Sequence, residues 1–134
     1  VAGNRGTRMD GFYVWGLNPH GWGKQPSWGC QFLDNEILVG NGYGHRSASF
    51  GTIGDDEPRA GACPMVRGAI FRRNVLHNNA SIEIGDLTED AIVEHCTVRD
   101  NEVGIRVRSG FETVLLRDNV FENVAQPEIF QRNR

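Results

Sequence analysis

Charged side chains recur at a regular spacing in the second half of the chain. Glu83, Arg106 and Glu128 follow one another at intervals of 22 to 23 residues, and Arg108 stands two positions after Arg106. Carboxylates can hold Ca²⁺ through oxygen ligands, and an arginine can neutralise the carboxylate of a ligand or act as a base. The same alternation also fits an ordinary cross-strand charge ladder, which stabilises neighbouring strands and has no catalytic role.

Two interruptions of the repeat described below predict lateral loops near residues 40–46 and 51–64, and loops on a rigid scaffold commonly carry function. The first loop contains His45 and Arg46, and a histidine can act as a general acid or base near neutral pH. Both residues are equally compatible with an ordinary polar surface. The second loop contains the best metal candidate of the chain, the acidic run Asp55, Asp56 and Glu57. Such a run before a proline also fits a solvated loop, so the cofactor stays open, with Ca²⁺ as the candidate.

A sequence repeat that occurs three times must supply the strands that position these residues. It spans 69–79, 91–101 and 114–124, and residues 30–37 fit as an earlier copy. A fixed period of this size indicates that each block buries its apolar residues against its neighbours. The inward columns that we predict are Cys30, Ala69, Ala91 and Val114; Phe32, Phe71, Val93 and Leu116; Asn35, Asn74, Cys96 and Asn119; and Ile37, Leu76, Val98 and Phe121.

A second alternating stretch follows each block, at 81–84, 104–107 and 127–130. Alternation of this kind is typical of a strand with one buried face. We therefore expect Glu83, Arg106 and Glu128 to point outward. The apolar residues of these stretches are expected to point inward, and they are Ile82, Ile84, Ile105, Val107 and Ile129.

The repeated blocks, each followed by a stretch such as Gly104-Ile-Arg-Val107, resemble the right-handed parallel β-helix of the pectin-lyase-like superfamily. The resemblance covers about residues 30–130 and suggests a short member or a fragment. It implies an all-β, single-stranded right-handed parallel β-helix of about four to five turns with 22–23 residues per turn. A leucine-rich repeat matches the frame of 66–76 and 111–121, but β-branched residues fill columns where leucine is expected.

The resemblance also implies a function. In the polysaccharide enzymes of this superfamily the substrate lies along the outer face of one parallel sheet, flanked by lateral loops. It therefore implies a module that binds or processes a polysaccharide, with polyuronate lyase or epimerase chemistry as the enzymatic form, and an extracellular or cell-surface location. The implied catalytic residues are Arg106, His45, Arg46 and Glu83, and the implied substrate-binding residues are Trp15, Trp22, Tyr43, Arg108 and Glu128. Catalysis stays open, because the catalytic motifs of the pectin-degrading relatives are not recognisable here.

A non-catalytic alternative comes from a different feature of the repeat. Ile70, Ile92 and Leu115 share an outward column with Gln31 and would form an apolar stripe on the surface. Contiguous exposed apolar surface usually marks an interface. The stripe favours a structural or adhesive protein, such as part of a surface protein or tail fibre, that associates with copies of itself or with a neighbouring domain.

Length, net charge and residue composition limit which of these interpretations are possible. The 134 residues suit one domain, which we divide into a partial turn with a cap (1–29), the repeat turns (30–130) and a tail (131–134). The net charge is −3 with no dominant basic stripe, which argues against nucleic acid as a partner, and no apolar run is long enough to cross a membrane. Three cysteines, Cys30, Cys63 and Cys96, leave the disulfide state open.

Overall fold

A computed structural model describes residues 1–9, 12–15, 27–40, 50–53, 66–85, 87–108 and 113–131. All regular structure in these ranges is β-strand. The strands are β1 (Arg5–Met9), β2 (Phe12–Trp15), β3 (Ser27–Trp28), β4 (Gln31–Leu33), β5 (Glu36–Gly40), β6 (Phe50–Ile53), β7 (Val66–Arg67), β8 (Ile70–Arg72), β9 (Val75–His77), β10 (Ile82–Ile84), β11 (Thr88–Glu89), β12 (Ile92–Glu94), β13 (Thr97–Val107), β14 (Leu115–Arg117) and β15 (Val120–Phe130).

The strands form three parallel sheets. Sheet A has the order β14-β12-β8-β4, and sheet C has the order β11-β7-β3. Sheet B contains eight strands in the order β1-β5-β9-β13-β10-β6-β2, with β15 paired to β13. Strand β13 has 11 residues and pairs with β9 through its first part and with β10 through its last part. This long strand therefore joins two groups of shorter strands into one sheet.

The prediction of a single right-handed parallel β-helix is wrong. The sheets are parallel, but they are separate, and the strands are partly curled as a half-barrel and do not form one right-handed solenoid. Unequal connections between paired strands account for the difference. Gln31 pairs with Ile70, 39 positions later, whereas Ile70 pairs with Ile92, 22 positions later, so the layers are not the uniform turns that a fixed period predicts.

The predicted inward columns are confirmed by the pairing register and by burial. Phe32, Phe71, Val93 and Leu116 are paired in sheet A, and the rings of Phe32 and Phe71 stack with centroids 4.8 Å apart. The first three of these side chains are buried, and Leu116 in the last strand is half-buried. The core thus fills most completely in the middle layers, where each side chain has a neighbour on both sides.

Buried amides hold the bend between sheets A and B. Asn35 donates from its backbone N–H and from Nδ2 to Oδ1 of Asn74, at 3.1 and 3.0 Å, and Nδ2 of Asn74 donates to the Phe32 carbonyl at 2.9 Å. Each member of this column follows a residue with positive φ, for example Arg73 at 54° and His95 at 53°. A left-handed backbone is costly for such residues, so the surrounding hydrogen bonds must hold it in place.

The loop predicted at 51–64 is wrong in its first part. Phe50–Ile53 is strand β6, which pairs with β10 and with β2 inside sheet B. The hydroxyl groups of Thr52 and Thr88 lie 2.6 Å apart, and Thr52 also accepts a hydrogen bond from the Gly85 N–H. The remainder of this loop, most of the loop at 40–46 and residues 16–26 of the predicted partial turn and cap lie outside the described residues.

Candidate functional site

Glu83 and two arginines form the centre of the candidate site. Strands β10 and β13 place Glu83 directly opposite Arg106. Arg106 Nη1 lies 3.7 Å from Glu83 Oε2, and Arg108 Nε lies 3.5 Å from Glu83 Oε1. The Glu83 side chain is only 10% exposed, because the two guanidinium groups cover it. One carboxylate between two arginines leaves this cluster with a net positive charge.

The register of β15 does not bring Glu128 into this cluster. Strand β15 pairs with β13 at a constant offset of 23 positions, so Glu128 lies opposite Ile105, and Ile129 lies opposite Arg106. Glu128 is exposed and Ile129 is half-buried, but the register does not extend the charge alternation from Arg106 to Glu128. Strands β13 and β15 stay in one register from Thr97 to Val107. Placing Glu128 opposite Arg106 would need a shift of the register by one residue, and the pairing of these two strands contains no bulge that would produce it.

A polar cleft of about 350 Å³ opens beside Arg106. Amide and hydroxyl side chains line much of it, and the described part of its wall holds one cation, Arg106, and one carboxylate, Glu102. Asn101 is buried and donates from Nδ2 to the Ala80 carbonyl at 2.6 Å, which holds this part of the wall in place. The polar lining residues are Asn79, Ser81, Asn101, Glu102, Arg106, Gln126 and Gln131.

The Arg106 side chain is only partly paired by Glu83. Its Nε is buried and forms no hydrogen bond within the described part of the chain. The contact from Nη1 to Glu83, at 3.7 Å, is longer than a hydrogen bond. A buried guanidinium N–H without an acceptor is costly.

Sequence reasoning missed a second charged cluster, on sheet A. Glu94 is 4% exposed in its side chain and lies between Arg72 and Arg117, with Nη2 of each arginine 2.5 Å from a carboxylate oxygen. The hydrogen bond from Arg117, and then that from Arg72, holds the pKa of Glu94 below its ordinary value. The signal was present in the repeat, since these three residues occupy one column at 22 to 23 positions. The carboxylate has both arginines as partners, so we assign it a structural role.

Several predicted site residues cannot be placed. His45, Arg46, Tyr43 and Trp22 lie outside the described residues, as does the proposed metal run of Asp55, Asp56 and Glu57. The Trp15 backbone ends strand β2, at the edge of sheet B. Within the described ranges, no group of three or more His, Cys, Asp or Glu side chains is arranged to hold a metal ion.

The apolar residues on which the structural or adhesive alternative depends do lie side by side. Ile70 pairs with Ile92 and Ile92 with Leu115 in sheet A. Ile70 and Ile92 are half-buried, and Leu115 is 44% exposed.

Cys30 and Cys96 have free thiols, and Cys63 lies outside the described residues. No helix that is long and apolar enough to cross a membrane occurs in the part of the chain that the structure describes.

Compared with known proteins, the chain matches no protein-family model, no curated protein and no solved structure. The pectin-lyase-like resemblance stays a prediction.

Proposed function

We propose that the protein binds an acidic polysaccharide through the cleft beside Arg106. The observation that carries the proposal is Arg106, whose Nε has no hydrogen-bond acceptor within the described residues and whose side chain lines a cleft together with amides, a hydroxyl and the Glu102 carboxylate. A guanidinium recognises a carboxylate through a planar pair of N–H donors, as a uronate sugar would require. Amide and hydroxyl side chains supply the donors and acceptors that sugar hydroxyl groups need.

The size of the cleft supports the same ligand class. Its volume of about 350 Å³ lies at the lower end of the range of small-ligand sites. A cleft of this size suits one or two sugar units of a polymer whose remaining units lie along the surface. Arg108 shares the Glu83 carboxylate, so that Glu83 does not neutralise the whole charge of Arg106.

The proposal extends to enzymatic processing, in which the protein also acts on the polymer that it binds. In a polyuronate lyase or epimerase, a base removes the proton next to the uronate carboxylate, and a cation stabilises the charge that develops. Arg106 is the cation that this chemistry requires. His45 and Arg46 are the candidate bases, and they belong to the first predicted loop.

Binding can be tested with short oligouronates from pectate and alginate, and with a neutral oligosaccharide of the same length as the ligand control. Calorimetric titration of the unmodified chain is expected to show uronate binding only. Arg106→Gln should weaken it at least about tenfold, the equivalent of one lost charge-assisted contact. Arg99→Gln removes an arginine that pairs with Glu122 on the same sheet and is absent from the cleft lining, so it should bind as the unmodified chain does.

Three results would contradict the proposal: equal affinity for the neutral ligand, equal loss in the Arg99 variant, or no binding to either uronate. Ultraviolet absorbance from unsaturated uronate ends, followed with and without Ca²⁺, then separates binding from cleavage. A rise that Arg106→Gln abolishes would identify a lyase.

A structural function through the stripe formed by Ile70, Ile92 and Leu115 is the second candidate. The pairing of the three residues in one column of sheet A supports it. In this reading copies of the chain associate side by side, and Ile92→Lys should lower the sedimenting mass without weakening uronate binding. An unchanged mass in this variant would remove the second candidate.

A further inference from the structure

The cleft beside Arg106 contains a negative charge as well as a positive one. Among the described residues that line it, Arg106 is the cation and Glu102 is the carboxylate. Both belong to strand β13, four positions apart, so their backbones are separated by at most about 13 Å. Glu102 is exposed. A ligand that fills the cleft therefore meets both charges.

The Glu102 carboxylate is not neutralised by a neighbouring arginine within the described part of the chain. Arg106 directs its Nη1 to Glu83, at 3.7 Å, and not to Glu102. Most other glutamates of the described ranges do have an arginine partner, and they are Glu36, Glu83, Glu89, Glu94 and Glu122. The two charges of the cleft thus act on a ligand separately.

Uncharged polar groups supply the rest of the polar lining. Gln126 in β15 pairs in register with Val103, the residue after Glu102, and Ser81 lies before β10. Amide and hydroxyl groups can donate to and accept from sugar hydroxyl groups whether or not the sugar carries a carboxylate. Within the described lining, selection by charge therefore comes from Arg106 and Glu102.

We infer that Glu102 makes the cleft selective for an acidic polysaccharide whose uronate units are separated by uncharged units. This inference rests on the proposed function, in which Arg106 binds one uronate carboxylate. A second uronate in a cleft of about 350 Å³ would lie near Glu102, and like charges brought together at a binding site oppose binding. An uncharged unit in the same place offers hydroxyl donors that the Glu102 carboxylate can accept.

The repulsion from Glu102 is modest and depends on salt. Interactions between exposed charges are weak, so we expect a preference of about two- to fivefold for the ligand with separated uronates. The Debye length is about 30 Å at 0.01 M ionic strength and about 10 Å at 0.1 M. The preference should therefore be largest in dilute buffer and decrease as salt is added.

Two tetragalacturonates of the same length and sugar stereochemistry test the inference. One is fully ionised, and in the other alternate carboxyl groups are methyl esters. Calorimetric titration in dilute buffer should show that the unmodified chain binds the half-esterified ligand about two- to fivefold more tightly. Glu102→Gln should remove this preference by strengthening the binding of the fully ionised ligand.

Asp118→Asn is the control variant, because it removes an exposed carboxylate that is absent from the cleft lining. Asparagine tolerates the positive φ of this position, 54°, so folding should survive. This variant has the same net charge as Glu102→Gln and should keep the preference of the unmodified chain.

Several results would overturn the inference. These are equal affinity of the unmodified chain for the two ligands, tighter binding of the fully ionised ligand, a preference that persists in Glu102→Gln, and a preference that salt does not reduce. If neither ligand binds, or if Arg106→Gln binds both as the unmodified chain does, the proposed function fails together with the inference. Binding that depends on Arg106 but shows no preference would overturn only the role of Glu102.

Discussion

Single buried side chains decide whether the bends of this fold can form. The Asn74 side chain makes its N–H···O hydrogen bonds toward the preceding block, since it accepts two from Asn35 and donates one to the Phe32 carbonyl. Cys96 takes the next place in the column, and its Sγ lies only 3.6 Å from the Phe71 carbonyl. A thiol is a weak donor and a weak acceptor, so the column is least well satisfied at Cys96.

We predict that Asn74→Ala lowers the free energy of unfolding by about 1–3 kcal/mol, because buried hydrogen-bonding groups of Asn35 and Phe32 lose their partner. Cys96→Asn should be neutral or stabilising, since the amide restores the stronger donor and acceptor at nearly the same volume. Urea denaturation of both variants measures the two effects. Asn119→Ala is the matched control, because Asn119 is half-buried and ends the column. A loss in Asn74→Ala no larger than in this control would contradict the account.

The lowered pKa of Glu94 gives a second residue-scale prediction. Arg117 and then Arg72 hold this pKa below the ordinary value of 4.5. A carboxyl with a lower pKa in the folded state stabilises the fold above its unfolded-state pKa, and this contribution is lost as the pH falls through the folded-state pKa. Glu94→Gln should therefore lower the melting temperature at pH 7, and the difference from the unmodified chain should shrink as the pH falls below 4.5.

Thermal unfolding across a pH series measures this difference. Glu122→Gln is the control, because Glu122 makes an ion pair with Arg99 that is largely exposed. Exposed pairs contribute little to stability, so this variant should melt close to the unmodified chain at every pH. A Glu94→Gln deficit that stays constant from neutral to acidic pH would show that the two ion pairs are not its source.

At the scale of strands, two glycines permit close approaches that no other residue allows. A Cβ at Gly104 in β13 would lie 2.5 Å from the Phe121 ring and 2.5 Å from the Pro127 carbonyl oxygen of β15. A Cβ at Gly40, the last residue of β5, would overlap the backbone carbonyl of Asn79. The first obstacle is partly a side chain, whereas the second is backbone.

We predict that Gly104→Ala costs about 1–3 kcal/mol of folding free energy, as overpacking commonly does. Phe121→Leu should recover part of this loss in the double variant, because the smaller side chain frees space near the new methyl group. Gly40→Ala should cost at least as much, and Phe121→Leu should not relieve it. A double-variant cycle in urea measures the coupling, and additive effects of Gly104→Ala and Phe121→Leu would refute the predicted contact.

The strands also show which structural features the sequence periodicity alone can predict. The columns through Phe71 and Leu76 could be predicted because side chains on one face of stacked strands must all be apolar. The β15 register could not, since Pro127-Glu-Ile-Phe130 alternates equally well in either direction and only the constant offset along β13 decides it. Strand β6 was missed because Phe50–Ile53 pairs with β10 at 32 positions, outside the repeat.

For the whole molecule, the repeat predicted parallel stacking but not the arrangement of the sheets. Connections of different length link the layers, and the long strands β13 and β15 join groups of strands that are separate in earlier layers. The candidate cleft depends on this arrangement, because Asn79 and Ser81 precede β10 while Asn101 and Gln126 lie in β13 and β15. The sequence identified Arg106 and Glu83, but it could not show which polar side chains face them.

Binding of an acidic polysaccharide at the Arg106 cleft is the central claim, and nuclear magnetic resonance of the ¹⁵N-labelled chain tests it most directly. During titration with an oligouronate, the Nε–H signal of Arg106 and the side-chain amide signals of Asn101 and Gln126 should shift together and saturate at one concentration. The Nε–H signal of Arg99, already hydrogen-bonded to Glu122 at 2.6 Å, should stay in place. Shifts spread over all exposed arginines, or an unmoved Arg106 signal at saturating ligand, would contradict the account.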